Sequence, residues 1–145
     1  MNTMDTCYDF DGWLIRLPQT WKMSLDEKVQ PPQAIFESDG ASITMYISTW
    51  RFQRPETGEP AGAEDVSSIA LQAFAQKGLS PLDGFSAYGP EGFLTCMGKG
   101  LTDDGCLILA CFICAVGAAL SVYIVCDNDA DFEKCLPYIR SVERT

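Results

Sequence analysis

Between Gly105 and Cys126 the chain carries no charged residue: GCLILACFICAVGAALSVYIVC. Three placements suit such a run, namely a membrane helix, a buried helix, or strands covered on both faces. Its length would suffice for a bilayer, which takes about 20 apolar residues. Gly117, however, stands mid-run among Ala115, Ala118 and Ala119, where a hairpin would turn. The halves on either side are rich in Ile, Val, Phe, Tyr and Cys, which suit strands. The flanks are acidic, Asp103-Asp104 before and Asp127, Asp129 and Asp131 after, with no Lys or Arg close by to orient a membrane helix. The run therefore reads as a hairpin buried on both faces, and the rest of the chain must supply the layers that cover it.

Turn signals divide the remainder. Asp11-Gly12 separates Cys7–Phe10 from Trp13–Leu17, Asp39-Gly40 separates Ala34–Glu37 from Ser42–Phe52, and Asp103-Asp104-Gly105 separates Phe93–Lys99 from Cys106–Cys114. Each is a D-G pair between apolar runs, a strong hairpin signal because glycine accepts positive φ without strain. Ser42–Phe52 alternates Ile43, Met45, Ile47 and Thr49 with Thr44, Tyr46, Ser48 and Trp50, so both faces carry bulk and the strand belongs inside a sheet. Gln53–Gly62, with two prolines and two glycines, reads as an exposed loop.

A helix then runs from Glu64-Asp65 to Lys77-Gly78 on an apolar stripe of Val66, Ile69, Leu71, Ala73 and Phe74. A last helix is capped by Asp129 or Asp131, carries Phe132, Cys135, Leu136 and Ile139 at helical spacing, and is kinked or shortened by Pro137. The expected fold is α+β: one domain over residues 1–145, with an antiparallel sheet of about six to seven strands built from hairpins and flanked by helices.

Charge and composition narrow the function. Ten Lys and Arg against 20 Asp and Glu give a net charge of −10. That field repels phosphate backbones and anionic lipid, so no nucleic acid and no membrane is expected, and a basic protein is the natural complement. Seven cysteines, an odd number set mostly in apolar surroundings, and an N-terminus from Met1 to Asp11 without an apolar stretch point to a reducing cytoplasm. The open edges of such a sheet leave room for a homodimer.

Histidine is absent. This removes the Ser-His-Asp triad, the Cys-His pair and the commonest metal ligand together. Cys111-Phe-Ile-Cys114 matches C-x-x-C, but on a strand the two thiols face opposite sides, and Cys96, Cys106 and Cys126 supply no second zinc pair. Asp127-Asn-Asp129-Ala-Asp131 copies half a calcium loop, yet Phe132 and Tyr138 stand where glycine and glutamate are required. Gly98-Lys-Gly100 is too short for a phosphate loop, and the adjacent Asp103 and Asp104 read as turn formers rather than an acid–base pair. The expectation is a non-enzymatic chain with no cofactor and no metal. Trp50, Arg51, Phe52 and Arg54, leading into the 53–62 loop, are the candidate partner-binding residues, because aromatic and arginine side chains are enriched at binding hot spots.

The opening Tyr8–Trp21 (YDFDGWLIRLPQTW) reads as strand, turn, strand, then Leu17-Pro18 followed by Trp21. With the hairpin, helix, meander and terminal helix closing on Ile139-Arg140-Ser141-Val142, the pattern resembles the PsbP-like α/β/α sandwich over nearly the whole chain. The resemblance implies a protein-binding role, since members of that fold mostly bind other proteins, some as effector chaperones of secretion systems. Taken with the acidic field, it implies a bacterial protein-binding domain, an immunity protein or effector chaperone in its sharpest form. The alternative is a small-molecule or lipid-binding sandwich whose 106–126 hairpin lines a cavity.

Overall fold

The computed structural model describes residues 5–82 and 89–145, so the expectation of no leader at Met1 to Asp11 lies partly outside the described residues. In chain order the elements are β1 (Asp5–Phe10), β2 (Trp13–Pro18), β3 (Lys22–Asp26), β4 (Gln33–Glu37), β5 (Ile43–Arg51), α1 (Ala63–Gln76), β6 (Ser80–Pro81), β7 (Leu94–Leu101), β8 (Leu107–Ala115), β9 (Ala118–Cys126), α2 (Asp129–Arg140) and β10 (Glu143–Arg144). A 7-stranded antiparallel sheet runs in the order β3-β4-β5-β9-β8-β7-β6, and a 3-stranded sheet in the order β1-β2-β10. The α+β class, the hairpin construction and flanking helices are as the sequence implied.

The uncharged run is the centre of the molecule. Its two halves are β8 and β9, turned at Val116-Gly117, and almost every residue in them is buried. No helix among the described residues is long and apolar enough to cross a membrane. Alternation along β8 feeds two separate cores: Leu109, Cys111 and Ile113 enter one, Ala110, Phe112 and Cys114 the other. The small sheet and α2 cover the first face with Trp13, Ile15, Leu17, Cys135 and Ile139. α1 covers the second with Val66, Ala70 and Phe74.

The two glycines flanking Lys99 have a packing role. A Cβ on Gly98 would lie 3.1 Å from Leu79 Cβ and 3.2 Å from the Phe74 ring, and one on Gly100 would lie 2.7 Å from Leu79 Cδ2. Bare backbone there lets α1 and the turn after it settle on β7.

Several expectations are corrected. The expected α1 stripe included Leu71, which is exposed, while Ala70 is buried. At 3.6 residues per turn Leu71 sits about 140° round the helix from Val66, beyond any stripe that could face the sheet. The cap of α2 is Asn128, whose Oδ1 accepts the Asp131 N–H at 2.9 Å; neither aspartate caps it. Pro137 lies within an unbroken helix, on its exposed side, where the Glu133 carbonyl it deprives of a donor can bond to water. β3 and β10 escaped the sequence reading altogether. β3 is an edge strand whose two apolar residues, Met23 and Leu25, are both exposed, and β10 is two residues docked on β2.

Candidate docking surface

Trp50 and Phe52 are the hinge between the central sheet and the layer formed by α1. Along β5 the residues Thr44, Tyr46, Ser48 and Trp50 turn toward α1, and Met45 and Ile47 turn the other way. Trp50 is half-buried against the α1 core, and its Nε1 donates to Ser121 Oγ at 3.1 Å. Ser121 in turn donates to the Ser48 carbonyl at 3.4 Å, so the indole is fixed by a short polar ladder across β5 and β9.

Phe52 is held by the tip of the uncharged hairpin. Its N–H donates to the Gly117 carbonyl at 2.9 Å, and the Gly117 N–H donates to the Ala61 carbonyl at 2.6 Å. Ala61 N–H closes the ring on the Phe52 carbonyl at 3.1 Å. Gly117 has φ +71°, and a Cβ there would lie 2.6 Å from Pro60 Cβ. The 53–62 loop is therefore exposed as expected but is closed on itself, with Arg54 N–H bonding the Glu59 carbonyl at 2.7 Å.

The four sequence candidates are split. Trp50 and Phe52 share the α1 face, and Arg51 points to the opposite one. There its Nε donates to Asp11 Oδ2 at 2.7 Å, tying β5 to the β1–β2 turn. These bonds hold the Asp11 carboxyl below its ordinary range, against a smaller opposing effect of burial. Arg54 reaches Asp65 in the first turn of α1 at 3.4 Å. Of the other tryptophans, Trp13 is fully buried beneath the Arg144 guanidinium, and Trp21 packs edge-on to Tyr138. Both belong to the core.

Trp50 and Phe52 do not stand alone. With Ile69, Ala73, Lys77, Phe112 and Tyr123 they line an apolar notch of about 160 Å³ between α1 and the sheet. Ile69 and Ala73 on α1 and Lys77 at its C-cap recur every four residues, so they line up beside the buried Val66-Ala70-Phe74 stripe. The Lys77 Nζ lies 4.3 Å from the centroid of the Tyr123 ring and donates to the Tyr123 hydroxyl at 2.8 Å. Ile69 remains 42% exposed at the mouth.

Beyond the notch, α1 does not reach β4 and β5. Ile35, Tyr46, Thr44 and Val125 on that part of the face are only half-buried. The strip they form runs to the end of the sheet where β4 stops at Glu37 and β9 runs into Asp127. The Asp103-Asp104 turn lies at the same end, since β7 closes and β8 opens there. The sequence reading placed Ile69 and Ala73 only on the core stripe of the helix and assigned none of Lys77, Phe112 and Tyr123 to a site. The available signal was the excess width of the apolar stripe on α1, wider than a helix needs for one sheet contact.

The remaining motifs resolve by geometry. Cys111 and Cys114 fall in different cores on opposite sides of the sheet. Around the calcium-like segment, Asp129 pairs with Lys99 at 3.2 Å and Asp131 with Lys134 at 3.7 Å. Among the described residues no group of three or more Cys, Asp or Glu converges as a metal site would need. No protein-family model matches this sequence, and no curated protein aligns with it significantly.

Proposed function

We propose that this chain is a non-catalytic protein-binding domain whose notch takes an apolar side chain from a basic partner. The observation that carries this reading is the half-covered aromatic face itself. Trp50, Phe112 and Tyr123 floor a notch that opens to solvent at Ile69 and continues into an apolar strip along β5 and β9. Concave apolar sites of this kind, ringed by polar groups, are where hot-spot side chains seat. The volume of about 160 Å³ suits one side chain. It falls below the range of roughly 300 Å³ and upward that holds a small organic ligand, which weighs against a whole lipid or metabolite in this notch.

Charge selects the partner. Glu37 and Asp127 lie at the end of the strip and Asp103 and Asp104 at the β7–β8 turn on the same end of the sheet, within a chain of net charge −10. A partner with basic residues flanking its apolar anchor would be steered in and held in register, more tightly at low salt. An immunity protein for a basic toxin, or a chaperone for a basic effector, is the sharpest form of this reading, on a sandwich of the PsbP-like kind. The burial of Cys111, Cys114, Cys126 and Cys135 as apolar filler supports a reducing compartment.

Photo-crosslinking in a lysate of the source cell tests the proposal. A photoreactive residue placed at Ile69 should capture a basic protein at low salt and lose it at high salt. The same residue at Leu25, exposed on the edge strand β3, should not capture it. Equal capture from both positions, or capture indifferent to salt, would overturn the reading.

A further inference from the structure

The 7-stranded sheet ends at β3, and among the described residues no strand pairs with its outer side. Natural sheets blunt such an edge with a proline, a bulge or a very short strand. β6, at the other end, is two residues long and contains Pro81. β3 has none of these devices. Its five residues run in unbroken register with β4, from Lys22 opposite Glu37 to Asp26 opposite Gln33. The backbone N–H and C=O groups that point away from β4 are a template for one more strand.

The apolar side chains of this edge are uncovered as well. Met23 and Leu25 share a face with Phe36 and Ala34, their partners on β4, and that is the face the small sheet covers. The small sheet stops short of them. The Tyr8 ring of β1 lies 4.9 Å from the Phe36 ring, so β1 overlies β4 and leaves β3 bare, one strand spacing of about 4.8 Å further out. Met23 is accordingly 42% exposed and Leu25 60%. A gap of about 310 Å³, lined in part by Phe10, Leu25, Ala34 and Ile47, opens at this step between the layers.

Charge and residue order name the occupant. Lys22 and Lys28 offset Asp26 and Glu27, so the stretch from Lys22 to Lys28 is neutral within a chain of net charge −10. Two copies meeting there avoid placing like-charged stretches against each other. When β3 is laid antiparallel against itself about Ser24, Lys22 stands opposite Asp26 of the second copy, and Asp26 opposite its Lys22. On the other face Met23 meets Leu25 of the second copy, and Leu25 meets its Met23. An antiparallel ladder accepts a centre on one residue whichever set of backbone groups faces outward. The open edge of the small sheet lacks this match: β1 turned about Cys7 sets Asp5 opposite Asp9, like against like.

We propose that the chain forms a two-fold symmetric dimer in which β3 pairs antiparallel with β3 of a second copy, joining the two 7-stranded sheets into one. Met23 and Leu25 of both copies then form one apolar strip between the two small sheets. A five-residue strand pair buries less surface than the roughly 1,200 Å² of a stable interface, so the dimer is weak and depends on concentration. The notch, on α1, β5, β8 and β9, stays open in the dimer, so this pairing holds whether or not the notch binds a partner.

Sedimentation of the full chain over a concentration series, with amide spectra of the same samples, tests the pairing. The mass should rise toward that of a dimer, and the amides of Met23, Ser24 and Leu25 should shift with concentration while those of Ile69 and Tyr123 stay fixed. Lys22→Asp and Asp26→Lys each set like charges opposite one another at two symmetric positions, and each should weaken the dimer by about ten-fold. Asp26→Lys also lowers the net negative charge, so general repulsion between copies predicts the opposite sign for it. Mixing the two variants restores opposite charges at both positions, and the mixture should associate about as tightly as the parent. A parent that stays monomeric at about 1 mM would overturn the pairing. Concentration-dependent shifts at Ile69 and Tyr123 in place of β3, or a mixture no tighter than either variant alone, would overturn it too. The amide shifts are read in the parent chain, so they decide even where a variant fails to fold.

Discussion

Replacing Gly98 with valine should press α1 off the sheet. The position faces Leu79 Cβ at 3.1 Å and the Phe74 ring at 3.2 Å from where a Cβ would stand. Neither neighbour can swing aside. Leu79 Cβ moves only with its backbone, and Phe74 is fully buried with its ring centroid 5.4 Å from that of Phe112. Alanine relieves glycine of about 0.5–1 kcal/mol of backbone entropy, but its Cβ crowds neighbours that cannot give, so Gly98→Ala should be mildly destabilising, less than valine. Valine adds two further methyls to filled space, and overpacking of that kind costs about 1–3 kcal/mol. For a chain of this size that is a fall in Tm of roughly 3–9 °C.

Trimming the opposing ring discriminates between crowding and a simple β-propensity effect. Phe74→Leu destabilises alone, but combined with Gly98→Val it should cost less than the sum by at least about 0.5 kcal/mol, because the valine fills what the ring vacated. Urea unfolding of the four proteins at equal m-value measures this. A Gly98→Val variant within about 0.5 kcal/mol of the parent, or strict additivity with Phe74→Leu, would refute the claim that α1 is pressed onto β7 there.

Three further outcomes follow from the same geometry. Gly117→Ala forces an L-residue to φ +71° with its Cβ 2.6 Å from Pro60. It should cost about 1–3 kcal/mol and speed amide exchange at Phe52 and Ala61, which bond through Gly117. Asn128→Ala removes the cap of α2 and should cost about 1 kcal/mol, whereas Asp129→Ala should cost less because Asp129 does not cap; thermal melts of the pair decide. The Asp11 carboxyl should titrate by NMR below its ordinary value of 3.8, and Arg51→Ala should move it back up. Because the folded pKa is lowered, the contribution of this contact to stability is present above pH 3.8 and is lost as pH falls through the folded value.

Much of this fold is legible because the sequence states it locally. Asp11, Gly12, Gly105 and Gly117 adopt positive φ at turns that separate runs whose alternation survives intact in the strands. The uncharged run had no polar periodicity because α1 and the small sheet cover its two faces. What escaped lacked a local signal. β3 is fixed by pairing with β4 and not by its own composition, and β10 by the docking of α2 that precedes it.

The candidate site was half legible. Trp50 and Phe52 line the notch, but strand alternation sends Arg51 to the far face, which four consecutive-looking letters conceal. Ile69, Lys77 and Tyr123 join them from elements far away in sequence, a meeting only the sheet order brings about. The placement of Cys96 and Cys114 on one face of β7 and β8 was hidden for the same reason. The visible C-F-I-C spacing drew attention to a pair on opposite faces, while the true neighbour of Cys114 lies across a hairpin.

Selection of displayed random peptides against the native protein tests the central claim most directly, because it lets the surface choose its own ligand. The account predicts that the recovered peptides are basic, carry an aromatic or aliphatic anchor and weaken as salt rises. It also predicts that they shift the amides of Ile69, Ala73 and Tyr123 and the indole N–H of Trp50. Recovered peptides that are acidic or uncharged, or that leave those four signals unmoved while shifting others, would contradict it.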